Sequence, residues 1–186
     1  MLLTDLQVVE PLRLSIEEGE GHKYCAKGEF ARAGVPTANK RIYPEPIWKK
    51  ELNKLQEAIQ QRKVFGEVDH ADGKTKLMRV SHIITKLECR DDGLIYGEAE
   101  ILDTQNGKQL KAILDGGGAV GVSSRGYGSV QKNEEGMDVV QEDFNLMTFD
   151  FVADPANATS YPVIEKGKSQ TEQKEIQKPI LWTLIM

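Results

Sequence analysis

The stretch from Leu77 to Leu102 constrains the possible folds more than any other part of the chain. It contains two segments with strand character, "LMRVSHIITKLE" at 77–88 and "LIYGEAEIL" at 94–102, separated by the turn "CRDDG". Two such segments joined by a short turn predict antiparallel strands, because parallel strands need a long crossover connection. Shorter segments of the same character lie on both sides, so we expect about seven or eight short strands in all.

Two helices are expected beside these strands. Residues 46–62 repeat apolar side chains at intervals of four, three and four, and this spacing gives one apolar face for the core: Trp48, Leu52, Leu55 and Ile59. A shorter helix is expected in "KQLKAILDGG" at 108–117, after a "DTQNGK" loop, because glycines commonly end a helix. Together these elements predict an α+β fold in which a mostly antiparallel sheet or barrel is flanked by helices.

The composition narrows the class of protein and its partners. The chain has 186 residues, and we expect one domain over 1–163 followed by a polar, disordered tail over 164–186. Its net charge of −5, without a polybasic run, argues against nucleic acid or an anionic membrane as a partner. We expect no signal peptide, and the terminal "ILWTLIM" is too short to span a bilayer. Cys25 and Cys89 are expected to be reduced and buried, as is usual in the cytoplasm.

Two adjacent serines lie in a glycine-rich stretch, "AVGVSSRGYGS" at 119–129, where Arg125 follows Ser123 and Ser124. We expect a short strand over 120–124 that leads into a glycine-rich bend. The stretch lacks the second glycine of the G-x-S-x-G nucleophile elbow, because Arg125 stands there, and no phosphate-binding G-K-[ST] follows. From these residues alone, a structural bend and a site with a serine nucleophile both remain open.

A serine nucleophile needs a base, and the sequence offers three histidines. His22 lies in a loop of glycines and acids and is expected to be a solvated surface residue. His82 lies within the predicted strand at 77–88 and is expected to be a packed or surface strand residue. His70 follows the short predicted strand at 63–68 and precedes a polar turn, where functional side chains often extend from a rigid scaffold.

Two other interpretations of His70 stay open. The residues around it can form an ordinary solvated turn, with Asp69 and Asp72 present for turn geometry. They can also supply oxygen and nitrogen donors to a metal, with Glu67 as a further ligand, although the spacing matches no common zinc or calcium pattern.

Five segments occur here in the order and context of the tailed-phage prohead proteases. These segments are "TANKRIYP" (37–44), "GEVDH" (66–70), "YGEAEIL" (96–102), "VGVSSRGYGS" (120–129) and "FDFVADPA" (149–156). The chain therefore resembles this family from about Tyr24 to Pro162, and the pairing of G-E-x-x-H with a later V-S-S-R-G is the most specific part. The family cleaves scaffold and capsid proteins during head maturation and is related to the herpesvirus assemblins.

The resemblance implies a serine endopeptidase on an assemblin-like β-barrel wrapped by helices, with no metal or cofactor. His70 matches the family's base, and Ser123 matches its nucleophile, with Ser124 as the rival. Adjacent side chains on a strand point to opposite faces, so only one of the two serines can meet His70. An acid is expected as the third member, and Asp150 is the first choice, with Asp154 as the fallback.

Asp150 interrupts an apolar strand between Phe149 and Phe151. A carboxylate buried there without a partner would cost several kcal/mol, so a buried Asp150 requires a cationic or N–H partner. An imidazole would supply one. The alternation of a strand equally allows Asp150 to face water while both phenylalanines point inward.

Further expectations concern the oxyanion donors, the substrates and partners, and the location of the protein. Hydrolysis also needs donors aimed at the oxyanion, and we expect oxyanion or site support from Ser124, Arg125 and Gly126 at the glycine-rich bend, although Arg125 can equally form a surface or core-rim ion pair. The expected substrates are capsid and scaffold proteins and the chain itself, with self-association, and neither nucleic acid nor membrane is expected as a partner. The expected location is the host cytoplasm, inside the viral prohead. The alternative is a non-catalytic, barrel-like structural or adaptor protein of the phage particle.

Overall fold

The computed structural model describes residues 2–6, 14–15, 24–70, 73–153 and 164–165. Within these ranges the helices are α1 (Glu45–Gln60) and α2 (Gln105–Asp115), and a 3-10 turn covers Leu77–Arg79. The strands are β1 (Leu2–Leu6), β2 (Leu14–Ser15), β3 (Tyr24–Arg32), β4 (Arg41–Ile42), β5 (Phe65–Glu67), β6 (Val80–Cys89), β7 (Leu94–Ile101), β8 (Gly121–Tyr127), β9 (Val130–Lys132), β10 (Asp138–Val140), β11 (Asn145–Val152) and β12 (Ile164–Glu165).

Two antiparallel sheets form the main part of the fold. The four-stranded sheet has the order β3-β7-β6-β5, and its β6–β7 pair is the predicted hairpin, with His82 opposite Ile101. The three-stranded sheet has the order β1-β8-β11. Two small sheets complete the described strands: β4-β10-β9, in which β9 and β10 form an antiparallel hairpin, and a parallel pair of β2 with β12.

A single bridge joins the two main sheets in the described part of the chain. Val68, just after β5, pairs in parallel with Phe151 of β11, and the Asp69 N–H donates to the Phe151 carbonyl over 2.8 Å. Asp69 has φ +61°, a left-handed conformation that turns the chain away after this one contact. The predicted α+β class and mostly antiparallel pairing are therefore confirmed, but the closed barrel is wrong for the described residues. The described strands pair into separate sheets, and the two main sheets are joined by this one bridge.

The core lies between these sheets and α1. Helix α1 packs on β6 and β11 with the face that the sequence predicts. Trp48 is fully buried, and its ring stacks on Tyr43 (centroids 5.2 Å apart) and on Phe149 of β11 (5.9 Å). Aromatic pairs of this kind stabilise a core beyond the area that they bury, so α1 fixes the position of β11.

Helix α2 begins earlier than the sequence suggests. The predicted "DTQNGK" loop is helical from Gln105, because the Thr104 side chain accepts a hydrogen bond from the Gly107 N–H over 3.0 Å and caps the helix. A Cβ at Gly107 would lie 1.9 Å from the Leu102 carbonyl oxygen. Glycine inside this helix thus permits close packing and does not mark a loop.

The predicted glycine-rich bend after Ser124 is also wrong. Strand β8 continues through Gly126 to Tyr127. Gly126 pairs with Leu146, next to an irregularity in the β8–β11 ladder, and a Cβ there would lie 2.5 Å from the Asn145 carbonyl oxygen. The glycine is needed because β11 approaches closely.

Other expectations have mixed outcomes. Cys25 and Cys89 are partly exposed and not buried as expected. Neither α1 nor α2, the helices of the described ranges, has the length and apolar character needed to cross a bilayer. The tail expected over 164–186 lies outside the described residues except for β12, so the division into domain and tail stays a prediction.

Candidate active site

The two serines of β8 point in opposite directions. Ser123 lies directly opposite Asp150 in the β8–β11 ladder, and residues that face each other in this way extend from the same side of a sheet. Ser124 lies opposite Phe149, which stacks on Trp48 in the core. Of the two serines, therefore, Ser123 shares a face with the acidic side chain.

Asp150 is fully buried and has both of the partner types that its burial requires. The Arg125 guanidinium is also fully buried and contacts both carboxylate oxygens, through Nε to Oδ2 (2.6 Å) and Nη2 to Oδ1 (3.0 Å). The Glu67 backbone N–H donates to Oδ1 over 3.0 Å. The expected cationic and N–H partners are thus confirmed, and the alternative in which Asp150 faces water is wrong. Arg125 forms a core ion pair.

His70 is the third group at this carboxylate. Its Nδ1 lies 3.3 Å from Asp150 Oδ2, and its side chain is 29% exposed. The turn at Asp69 after β5 directs the ring toward β11. A proton on Nδ1 that donates to the carboxylate would leave the Nε2 lone pair free to accept another proton, which is the tautomer that a general base requires.

The electrostatics of Asp150 favour its charged form. Burial alone would raise the pKa of this carboxyl group, but hydrogen bonds from His70 and Arg125, the positive charge of Arg125 and the Glu67 amide outweigh it. The pKa of Asp150 is therefore lowered below the ordinary value of an aspartate. The ionised carboxylate can stabilise a positive charge on the neighbouring imidazole.

The segment that follows His70 is also attached to this cluster. Arg125 donates from Nη1 to the Gly73 carbonyl (2.6 Å) and from Nη2 to Thr75 Oγ1 (3.0 Å). Glu67 Oε1 accepts the Lys76 backbone N–H over 2.6 Å. No sequence pattern pointed to Gly73, Thr75 or Lys76, whereas Glu67 is the second residue of G-E-x-x-H and could have been suspected from that motif.

The hydroxyl groups themselves are buried. Ser123 Oγ and Ser124 Oγ form no hydrogen bond within the described part of the chain, so His70 and Ser123 are not hydrogen-bonded to each other in this structure. A catalytic hydrogen bond is often long or poorly aligned before substrate binds. The structure thus brings together His70, Asp150 and Arg125, and it positions Ser123 on the same face as Asp150 without a hydrogen bond to the imidazole.

The other candidate residues lie elsewhere. The expected glycine-rich bend with donors around Ser123 does not form, because Gly126 lies within β8 and the Ser124 side chain faces the core. His22 and Asp154 lie outside the described residues. No group of three or more potential metal ligands occurs in the described ranges. Glu67, one of the ligands considered for a metal, has its Oε1 engaged by the Lys76 amide.

His82 is a buried residue of the core, in line with the interpretation of a packed strand residue. Its ring contacts the Phe149 carbonyl through Nε2 (2.9 Å) and Ser81 Oγ through Nδ1 (2.8 Å). Burial lowers the pKa of His82 to about 4, although the Phe149 carbonyl opposes this shift. A Cβ at Gly66 would lie 2.1 Å from His82 Nε2. The glycine of G-E-x-x-H therefore allows this ring to cross β5 and reach β11.

The site contains a partly exposed imidazole that contacts a buried carboxylate, and a hydroxyl on the same sheet face as that carboxylate. These are the three groups used by serine hydrolases. Comparisons with known proteins agree with this class. The sequence profile described as prohead core protein serine protease matches residues 8–175, and the chain belongs to this family. The resemblance found in the sequence is thereby confirmed.

One sequence and one solved structure from phage T4 are similar to this chain. The prohead core protein protease of Enterobacteria phage T4 is 32% identical over 124 residues, which are 64% of this chain and 58% of the relative. The match thus spans less than two thirds of that relative's length. The solved structure of the bacteriophage T4 capsid assembly protease matches with a TM-score of 0.70 and 25% identity, over 81% of this chain and 96% of that one.

Proposed function

We propose that this chain is a serine endopeptidase of phage head maturation, in which Ser123 is the nucleophile, His70 the general base and Asp150 the acid that orients it. The observation that supports this proposal most directly is the contact of His70 with Asp150, which lies directly opposite Ser123 in the β8–β11 ladder. Arg125 supports the site through Asp150, which it holds in place and keeps ionised.

The proposed reaction has two halves. His70 Nε2 accepts the Ser123 proton while Oγ attacks the peptide carbonyl, and Asp150 stabilises the resulting imidazolium. His70 then gives the proton to the leaving amine, the C–N bond breaks, and an acyl-enzyme remains. A water molecule next loses a proton to His70 and attacks the ester carbonyl. The proton returns to Ser123 Oγ as the carboxylic acid product leaves.

The proposed substrates and setting follow from the family and from the printed names of the T4 proteins. Because those names describe a prohead core protease and a capsid assembly protease, we assign capsid and scaffold proteins as substrates, inside the prohead in the host cytoplasm. The chain itself is a further substrate, cut within a tail over 164–186 that follows a protease domain over 1–163. Self-association of the chain belongs to the same proposal.

A serine-directed fluorophosphonate probe tests the chemistry. Wild-type protein should be labelled on the peptide that contains Ser123, and Ser123→Ala and His70→Ala should each abolish labelling. Ser124→Ala is the matched control, because it removes the adjacent hydroxyl on the opposite face of β8. Labelling that persists in Ser123→Ala would refute the assignment of the nucleophile. An unlabelled but folded wild-type protein would favour the non-catalytic structural or adaptor protein.

A further inference from the structure

We propose that Glu67 is a positioning residue whose carboxylate closes the loop that carries His70. This inference rests on the proposed function only in that His70 is taken as the base. The His70 loop is the connection that follows β5, of which residues 68–70 and 73–76 are described. The metal-site interpretation of Glu67 is thereby replaced by a role in holding an imidazole in place.

The geometry of Glu67 supports this role from two directions. Glu67 is the last residue of β5 and is almost fully buried. Its side-chain Oε1 accepts the Lys76 N–H over 2.6 Å, and its own backbone N–H donates to Asp150 Oδ1 over 3.0 Å. One residue thus contacts both the far end of the His70 loop and the carboxylate to which His70 binds.

The loop needs such a closure because its conformation is not that of a regular element. Asp69, immediately before His70, has φ +61°, which is uncommon for a residue with a side chain and persists only when the surroundings hold it. The described connections of the loop to the strands include the Asp69 N–H to Phe151, the His70 contact with Asp150 and the Arg125 bonds to Gly73 and Thr75. Near its far end, the Thr75 hydroxyl also donates to the Phe65 carbonyl over 3.5 Å, and the Glu67 bond holds the backbone of Lys76.

The interaction requires an acceptor and does not require a charge. A backbone N–H donates to a carboxylate or to an amide oxygen in the same geometry, although the bond to a carboxylate is stronger. Glu67→Gln should therefore keep the loop closed, whereas Glu67→Ala should open it. Recovery of function by glutamine would separate the closure of the loop from any role that needs the negative charge.

The chain contains a matched control residue. Glu51 on α1 is buried to the same extent, and its Oε2 accepts the Leu146 backbone N–H over 3.0 Å. Glu51→Ala therefore removes a bond of the same chemistry and similar burial, which joins α1 to the beginning of β11, together with the ion pair of Glu51 with the exposed Lys54. Neither interaction touches the His70 loop. Both alanine variants should lose stability, which allows stability and loop closure to be separated.

The test combines amide hydrogen exchange with steady-state kinetics on a peptide substrate. In the wild type the Lys76 amide should be protected, and Glu67→Ala should speed its exchange about tenfold or more relative to Glu51→Ala. Glu67→Ala should lower kcat by about 10- to 100-fold per folded molecule, because a small displacement of a catalytic group has effects of this size, with little change in KM. Glu67→Gln should stay within about fivefold of wild type, and Glu51→Ala should retain its kcat.

Two results would overturn the inference. One is a Lys76 amide that exchanges in the folded wild type as fast as an exposed amide, and this measurement needs no variant to fold. The other is an equal kcat per folded molecule in Glu67→Ala and Glu51→Ala. A wild type that lacks peptidase activity would instead refute the proposed function, while the exchange data would still decide whether Glu67 closes the loop.

Discussion

Two imidazoles contact neighbouring residues of the same strand, and they differ in almost every chemical property. His70 is partly exposed and contacts the Asp150 carboxylate, whereas His82 is buried and contacts the carbonyl of the preceding residue, Phe149. A carboxylate can stabilise a protonated ring at a site open to substrate, while burial keeps the other ring neutral. Both histidines lie close to Asp150, so distance from this carboxylate does not decide their roles. The group that each imidazole contacts and its access to solvent do.

Variants of the two histidines test most directly whether His70 and His82 have separate roles, and they should give the largest effect on activity. His70→Ala should lower kcat/KM by about 10³-fold or more with little change in stability, because it removes the base from a partly exposed position. His82→Gln should keep kcat per folded molecule and lose stability. Peptidase assays together with urea unfolding measure both effects. Equal losses of activity in the two variants would contradict the separation of roles.

A second variant tests the carboxylate that distinguishes the two environments. Asp150→Asn should lower kcat by about 10²- to 10⁴-fold, since the amide cannot stabilise an imidazolium. It should also lower the free energy of unfolding by about 3–5 kcal/mol, because Arg125 remains buried without its counter-charge. The free energy is measured by urea unfolding. A variant of unchanged stability would show that the buried ion pair matters little to the fold.

The pH dependence of the free energy of unfolding tests whether His82 is buried in its neutral form. Burial lowers the pKa of His82 from 6.5 to about 4, so the unfolded chain takes up a proton at a higher pH than the folded chain. The free energy of unfolding should therefore fall as the pH decreases from about 6.5 to about 4, by up to about 3 kcal/mol from this residue. At still lower pH the lowered pKa of Asp150 adds a further loss, as the stability contributed by its charged form disappears.

Unfolding in urea at a series of pH values checks this expectation. His82→Gln provides the control, because its stability should depend less steeply on pH over the same window. A parallel pH dependence in the two proteins would mean that another group is responsible.

The smallest expected effect concerns the core side of β8. Ser124 is buried opposite Phe149, and its hydroxyl has no partner within the described residues. Ser124→Ala should leave the free energy of unfolding unchanged or raise it by about 1 kcal/mol, because it removes an uncompensated polar group. Thermal or urea unfolding measures the change. A loss of more than about 1 kcal/mol would indicate a hydrogen bond that the structure lacks.

Local patterns in the sequence predicted the elements that local physics determines. The spacing of Trp48, Leu52 and Ile59 predicted α1, and the turn between two β-branched segments predicted the β6–β7 hairpin. The burial argument for Asp150 also predicted the kind of partner that the structure shows.

Longer-range features could not be predicted in the same way. Gly107 and Gly126 indicated a loop and a bend, yet each is a glycine because another backbone approaches it closely in the folded chain. The choice of Arg125 as the main partner of Asp150 depends on the β8–β11 register, which no local pattern specifies. The turn at Asp69, beside the bridge between the two main sheets, has a left-handed conformation that leaves little trace in the sequence.

The junction between the two main sheets has a consequence for the chain during synthesis. His70 follows the last strand of one sheet, Asp150 and Ser123 belong to the other, and β11 lies between β8 and the His70 segment. A nascent chain that has left the ribosome only as far as β8 therefore has an imidazole and a hydroxyl but no strand to join them. On the proposed function, such a chain cannot cut its neighbours, because insertion of the final long strand both completes the core and creates the enzyme.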